Sequence, residues 1–132
     1  MLSNKLNVLS STMYSVLFTL VAFAASEAAV AQVSPPSWTA SPDVYKVVTE
    51  NGQFRVIEVA WKPGQRDQWH SHANGGFFYY VTDCSLRSHS PDGRTDAVIH
   101  SAGDAGAQPA FDSHWVENVG KETCKVVLFE PK

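Results

Sequence analysis

The sequence predicts an all-β domain of the sandwich or small-barrel kind. Three observations carry this. Short segments rich in β-branched and aromatic residues recur at close, even spacing after residue 42, and turn signals separate them. No segment beyond residue 31 sustains a helical period. The chain contains neither internal repeats nor a low-complexity tract, so two packed sheets or one closed sheet is the natural architecture.

The elements follow in order. The start carries one cation, Lys5, then an apolar run from Met13 to Ala25, then the small residues Ala29-Val30-Ala31. This pattern predicts a signal peptide over 1–31, cleaved before Gln32, and an exported protein of the periplasm or the cell exterior. The run is shorter than the about 20 apolar residues that span a bilayer, so no membrane anchor is expected after cleavage. Residues 32–42, with "SPPSWTASP", form a Pro/Ser-rich leader without periodicity, expected to reach or lie across the domain. The domain proper is expected over 43–132. There "VYKVVTE" and "QFRVIEVAW" flank Asn51-Gly52, a hairpin signal whose two positions want positive φ. Then come "FFYYVTD", then "SLRSHS" and "TDAVIHS" on either side of Pro91-Asp92-Gly93-Arg94, and finally "DSHWVENV" and "CKVVLFE".

Composition excludes some partners. The chain of 132 residues carries a formal net charge of -3, and removing residues 1–31 takes away one base and one acid. A mildly acidic domain without a basic run offers no footprint for nucleic acid. The roughly 100 residues that remain can bury a core of modest size, to which a staple would add. The two cysteines, Cys84 and Cys124, lack CxxC spacing, and export would place them where a disulfide persists.

The chemistry-bearing stretch is "QWHSHANGGFFYYVTDC", Gln68 to Cys84. In a strand, residues two apart share a face, so His70 and His72 project together with Gln68, and Trp69 and Ser71 lie opposite. Two imidazoles on one face can share a metal. Farther on, "GDAGAQPAFDSHWVENVG" supplies a third, His114. Gly64, His70 and His72 fit the first motif of the cupin family (Gly, five residues, His-x-His, three or four residues, Glu, six residues, Gly). Gly103, Pro109, His114 and Asn118 fit the second (Gly, five residues, Pro-x-Gly, two residues, His, three residues, Asn). The chain resembles a cupin over essentially its whole mature length. It departs where Phe77 stands for the motif Glu, Cys84 for the final Gly of the first motif, and Phe111 for the inner Gly of the second.

The resemblance implies a single-domain cupin jelly-roll β-barrel, with His70, His72 and His114 as ligands of one divalent transition metal. Three neutral imidazoles suit Zn, Fe, Mn, Ni or Cu, and such sites keep positions open for water or substrate. His89 and His100, outside both motifs, read as surface polar residues. With Phe77 set by the resemblance at the inward motif Glu position, Phe77, Tyr79 and Val81 are expected inside the barrel, with Phe78 and Tyr80 outside. Phe77 then walls the vacancy left by the missing carboxylate. Gln68, Phe77 and Asn118 become second-shell or pocket residues, and Tyr79 a candidate proton donor, or else a residue that satisfies barrel hydrogen bonds. Outward Trp69, Phe78, Tyr80 and Trp115 would suit a homodimer face. Cupin strand order also sets "FFYYVTD" antiparallel beside "CKVVLFE", which brings Cys84 and Cys124 together as a disulfide candidate.

On function the resemblance leaves three readings. One is an enzyme acting on a small organic molecule, with dioxygenase, isomerase, decarboxylase and lyase chemistry all open. An ion held by neutral histidines alone keeps its full 2+ charge, which would favour an anionic partner. The others are a barrel that binds a metal or small ligand without turnover, and a metal-free structural barrel.

Overall fold

The computed structural model describes residues 32–132, and the expected signal peptide over 1–31 lies outside them. Nine strands form two antiparallel sheets. The strands are β1 (Tyr45–Glu50), β2 (Phe54–Trp61), β3 (His70–His72), β4 (Gly76–Tyr80), β5 (Cys84–His89), β6 (Thr95–His100), β7 (Ala105–Gln108), β8 (Phe111–Asn118) and β9 (Cys124–Pro131). One sheet has the order β1-β2-β9-β4-β7 and the other β3-β8-β5-β6. Between them lies one core of alternating inward residues, among them Val44, Ile57, Val59, Trp61, Leu86, Val116, Val126 and Leu128. The jelly-roll expectation and the structure agree.

The leader is tied to the domain by backbone hydrogen bonds and contains one helical turn, α1 (Ser37–Ala40). The Ser34 N–H donates to Asp112 O, and the Ser71 N–H donates to Pro35 O. Ser37 and Ser41 are buried, so this segment covers the β3 end of the sandwich.

The β1–β2 hairpin forms, but not through the expected turn. Glu50 pairs with Arg55 around residues 51–53, and no residue other than glycine has positive φ among the described residues. Gly52 is not among the glycines that do. The Asn51 side chain supplies the turn instead, its Oδ1 accepting the Gln53 and Phe54 N–H groups at 2.8 and 2.9 Å.

A larger correction concerns the stretch from His70 to Tyr80. It spans both sheets: β3 pairs with β8, while β4 pairs with β9 and β7 in the other sheet. Gly75 and Gly76 make the crossing, at φ 62° and 147°. Each passes so near another backbone that a Cβ would meet Gln108 O at 2.5 Å or Phe129 O at 2.2 Å. The parity of β4 is the reverse of that expected from setting Phe77 at the inward motif Glu position. Phe77 is 61% exposed, Tyr79 50% and Val81 46%, whereas Tyr80 is buried and Phe78 packs on the core. Phe78 and Tyr80 therefore do not join Trp69 and Trp115 on an outer face.

Cys84, at the start of β5, is disulfide-bonded to Cys124, at the start of β9, with Cα atoms 5.0 Å apart. The bond links the two sheets and closes a loop of 40 residues. A link of that span stabilises by about 3–4 kcal/mol, chiefly by restricting the unfolded chain.

Candidate metal centre

His70 and His72 come from β3 and His114 from the adjoining β8, where His70 is the register partner of His114. All three are buried, and their ligating atoms lie within 4.8 Å of one another. The ring centroids of His70 stand 4.9 Å from His72 and 4.4 Å from His114.

The hydrogen bonds decide which atoms face the centre. His70 Nδ1 lies 2.8 Å from Gln68 O, a carbonyl that can only accept, so this nitrogen carries the proton and Nε2 a bare lone pair. His72 Nδ1 lies 2.5 Å from Glu130 Oε1, with the same consequence. His114 Nδ1 lies 3.3 Å from Ser88 Oγ, and its Nε2 is buried without a partner. His70 Nε2 and His72 Nε2 are 3.1 Å apart. Three Nε2 atoms converge in front of rings held from behind, the arrangement in which metal-binding histidines are fixed by outer hydrogen bonds.

Burial keeps the His70 and His114 rings neutral. It pulls the His70 imidazole down to about 3 and the His114 imidazole down to about 2, with neighbouring imidazoles adding to the effect. Beside them lies Asp67, 4% exposed. Its Oδ1 accepts the Val116 N–H at 2.7 Å, and its Oδ2 accepts from Tyr45 Oη at 2.8 Å and Trp61 Nε1 at 3.0 Å. Burial pushes the carboxyl up to about 6 despite the three donors.

A cavity of about 170 Å³ opens beside the histidines, lined mainly by apolar groups including Phe78, Tyr80 and Leu86. Phe111, on the pocket side, stacks on His114 at 4.6 Å with planes 5° apart. Gln108 also lines the cavity and holds its amide nitrogen buried without a partner among the described residues.

Several expected residues fall elsewhere. Phe77 and Tyr79 are on the outer face, so Phe77 is no wall of the site and Tyr79 no proton donor in it. The Gln68 side chain is exposed, and only its carbonyl serves the centre, through His70. Asn118 is buried but structural, donating to Trp61 O at 2.9 Å and Glu122 O at 2.8 Å and accepting from the Gly120 N–H. His89 and His100 are not free surface groups. His89 stacks on Trp115 at 3.6 Å and His100 on Tyr80 at 4.2 Å. The residues the sequence reading missed are Tyr45, Asp67, Ser88, Gln108 and Glu130, and for Phe111 it saw a departure without a role. Asp67 stands three residues before the first histidine, and only the structure shows its burial.

A family model for the cupin domain matches residues 57–130, more than half the chain. The chain is a cupin. Solved structures repeat this cupin's fold at low identity. A cupin domain from Bordetella pertussis Tohama I is 22% identical with a TM-score of 0.62, the match covering 75% of this chain and 96% of that one. A polyketide cyclase from Streptomyces resistomycificus is 22% identical with a TM-score of 0.51, over 66% of this cupin and 63% of the cyclase. A sugar phosphate isomerase of the cupin superfamily from Silicibacter pomeroyi is 19% identical with a TM-score of 0.50, covering 76% and 67%. No curated protein matches this cupin.

Proposed function

We propose that this cupin binds one divalent transition metal through Nε2 of His70, His72 and His114 and acts on a small, oxygen-bearing organic molecule in the adjoining cavity. The observation that carries the reading is the outward anchoring of the three Nδ1 atoms on Gln68 O, Glu130 and Ser88, which leaves three Nε2 atoms converging in a buried space. A bound ion would supply Lewis-acid polarisation of a substrate oxygen. The residues around it have separate tasks. Phe78 and Phe111 keep water out of the cavity, and the Gln108 amide can donate to a second substrate oxygen.

The expectation of an anionic partner is tempered by the surroundings. Glu130 bonds to His72, and Asp67 Oδ1 lies 3.6 Å from His70 Nδ1. Both carboxylates offset part of the ion's charge through the rings, so a neutral chelating molecule fits as well as an anion. The cyclase and isomerase among the structural neighbours support an enzyme at the level of fold only. The disulfide supports an exported protein in an oxidising compartment, the periplasm or the exterior.

Metal analysis of the tag-free protein tests the first half. One equivalent of a transition metal, lost in His72→Ala and His114→Ala variants, is expected. A chain that stays folded and metal-free in excess zinc, iron, manganese, nickel and copper would mean a structural barrel. Turnover of small hydroxy acids, enols and sugar derivatives tests the second half. Metal binding without any turnover favours the binding-barrel reading.

A further inference from the structure

The cupin motif Glu is absent here, and Phe77, which holds its place in sequence, points away from the centre. Tyr45, on β1, comes to the histidines from the opposite sheet. Its side chain is 2% exposed and lines the cavity. Its hydroxyl lies 2.8 Å from Asp67 Oδ2 and 3.2 Å from His70 Nε2.

Counting protons shows what the second contact is. The hydroxyl has one proton, and a carboxylate at 2.8 Å takes it in preference to an imidazole at 3.2 Å. His70 carries its own proton on Nδ1, bound to Gln68 O, so Nε2 has none to offer. The Tyr45 Oη to His70 Nε2 contact is then lone pair against lone pair, and the Nε2 atoms of His70 and His72 stand 3.1 Å apart beside it. Such pairs repel unless a positive charge lies between them. Two donors bound side by side to one ion at about 2.1 Å stand about 3.0 Å apart at a right angle and about 3.4 Å apart at the tetrahedral angle. Both contacts fall in that interval.

We infer that Tyr45 Oη is the fourth protein donor of the metal centre, aimed at it by Asp67, in place of the carboxylate missing from the cupin motif. The inference rests on the proposal that the three histidines bind a divalent ion. Tyr45 is fixed well enough for the task. Its N–H donates to Ser41 O at 2.9 Å, and its ring meets Trp61 edge to face at 5.6 Å. Asp67 is itself immobilised by Trp61 Nε1 and the Val116 N–H, so the hydroxyl proton has one direction and the oxygen lone pairs another. Within the set Zn, Fe, Mn, Ni and Cu, a hard oxygen joined to three imidazoles favours the oxygen-loving members, Mn above all.

Cobalt(II) titration of the stripped, tag-free protein tests this, because cobalt reports its donor set in the visible spectrum and its affinity by competition with a chelator. The parent is expected to bind one ion, and His72→Ala to lose it. Tyr45→Phe is expected to bind about 10–100-fold more weakly, with a changed spectrum as water takes the place of the phenol. A Tyr45→Phe protein with the parent's affinity and a superposable spectrum, beside a His72→Ala protein that has lost the ion, overturns the Tyr45 assignment alone. Cobalt binding indifferent to His72→Ala overturns the three-histidine reading as well. Since Tyr45→Phe removes a buried hydrogen bond, a second measurement uses the parent only. Zinc(II) has no visible spectrum of its own, so a tyrosine ultraviolet difference signal saturating at one ion per chain is expected. Zinc binding without any tyrosine signal overturns the assignment.

Discussion

Glu130 Oε1 accepts from His72 Nδ1 at 2.5 Å, a bond between residues 58 apart in sequence that joins β9 of one sheet to β3 of the other. Both partners are buried. The carboxylate fixes the tautomer of His72 and raises the basicity of the nitrogen that faces the centre. Glu130→Gln keeps an acceptor and removes the charge. It should lower zinc affinity about 10-fold, and Glu130→Leu, which removes the acceptor too, up to about 100-fold. Chelator competition measures both, and unchanged affinity in the Leu variant would remove Glu130 from the centre's support.

Phe77 lies on the outer face, in register with Phe129 on β9 and Ala107 on β7. Phe77→Glu should therefore leave metal affinity within about twofold of the parent and cost stability by about 0.5–1 kcal/mol through the lost cross-strand pair. Tighter metal binding in this variant would put the side chain at the ion and contradict the β4 parity described here.

The Cys84–Cys124 bond should be worth about 3–4 kcal/mol. Replacing both cysteines by serine should lower the thermal midpoint by roughly 12 °C or more in a domain of this size. Calorimetry of the oxidised parent against the double variant reads the difference. Equal midpoints would show that the link between the sheets constrains little that the core does not already hold.

Acid should destabilise the metal-free protein. Burial holds His70 near 3 and His114 near 2 against an ordinary 6.5, so below about pH 6.5 the unfolded chain takes up two protons that the folded chain refuses. Asp67 opposes them, because at about 6 it is protonated in the folded chain while the unfolded carboxyl waits until about 3.8. From pH 6 to pH 4 the balance is one proton in favour of the unfolded state, a loss of about 1.4 kcal/mol per pH unit. Urea unfolding in the presence of a chelator at pH 6 and pH 5 checks it. Stability that rises toward pH 5 would mean that the rings are charged, or solvated, in the folded chain.

The sequence reading reached the strands, the cysteine pair and the histidine set for a common reason, that each is encoded locally or by motif spacing. It missed β7 because "AGAQ" has no β-branched or aromatic residue. That strand exists through its partner, and Phe78 lies so close over Gly106 that a Cβ there would meet Cζ at 2.8 Å. It misplaced Phe77 and Tyr79 because Phe77 was set at the inward motif Glu position, whereas in β4 Phe78 and Tyr80 are the residues that face the core. Tyr45, Asp67 and Glu130 were hidden for another reason. Each looks ordinary in its own strand or loop and acquires a role only once β1, the 62–69 segment and β9 converge on β3. The buried carboxylates were legible only as chemistry without an address.

The place of β9 also constrains how the molecule comes into being. It is the last strand in chain order, yet it lies between β2 and β4 in the middle of its sheet. Until it inserts, both neighbours present bare edges and half of the larger sheet has no connection to the rest. Pairings this distant in sequence are reached slowly, and the waiting state carries the aggregation hazard of open strands. The same strand delivers Glu130, so the centre acquires its full grip on an ion only after the final closure. A metal would arrive as the seal on a finished fold, trapping the closed form by mass action and contributing little to the search that precedes it.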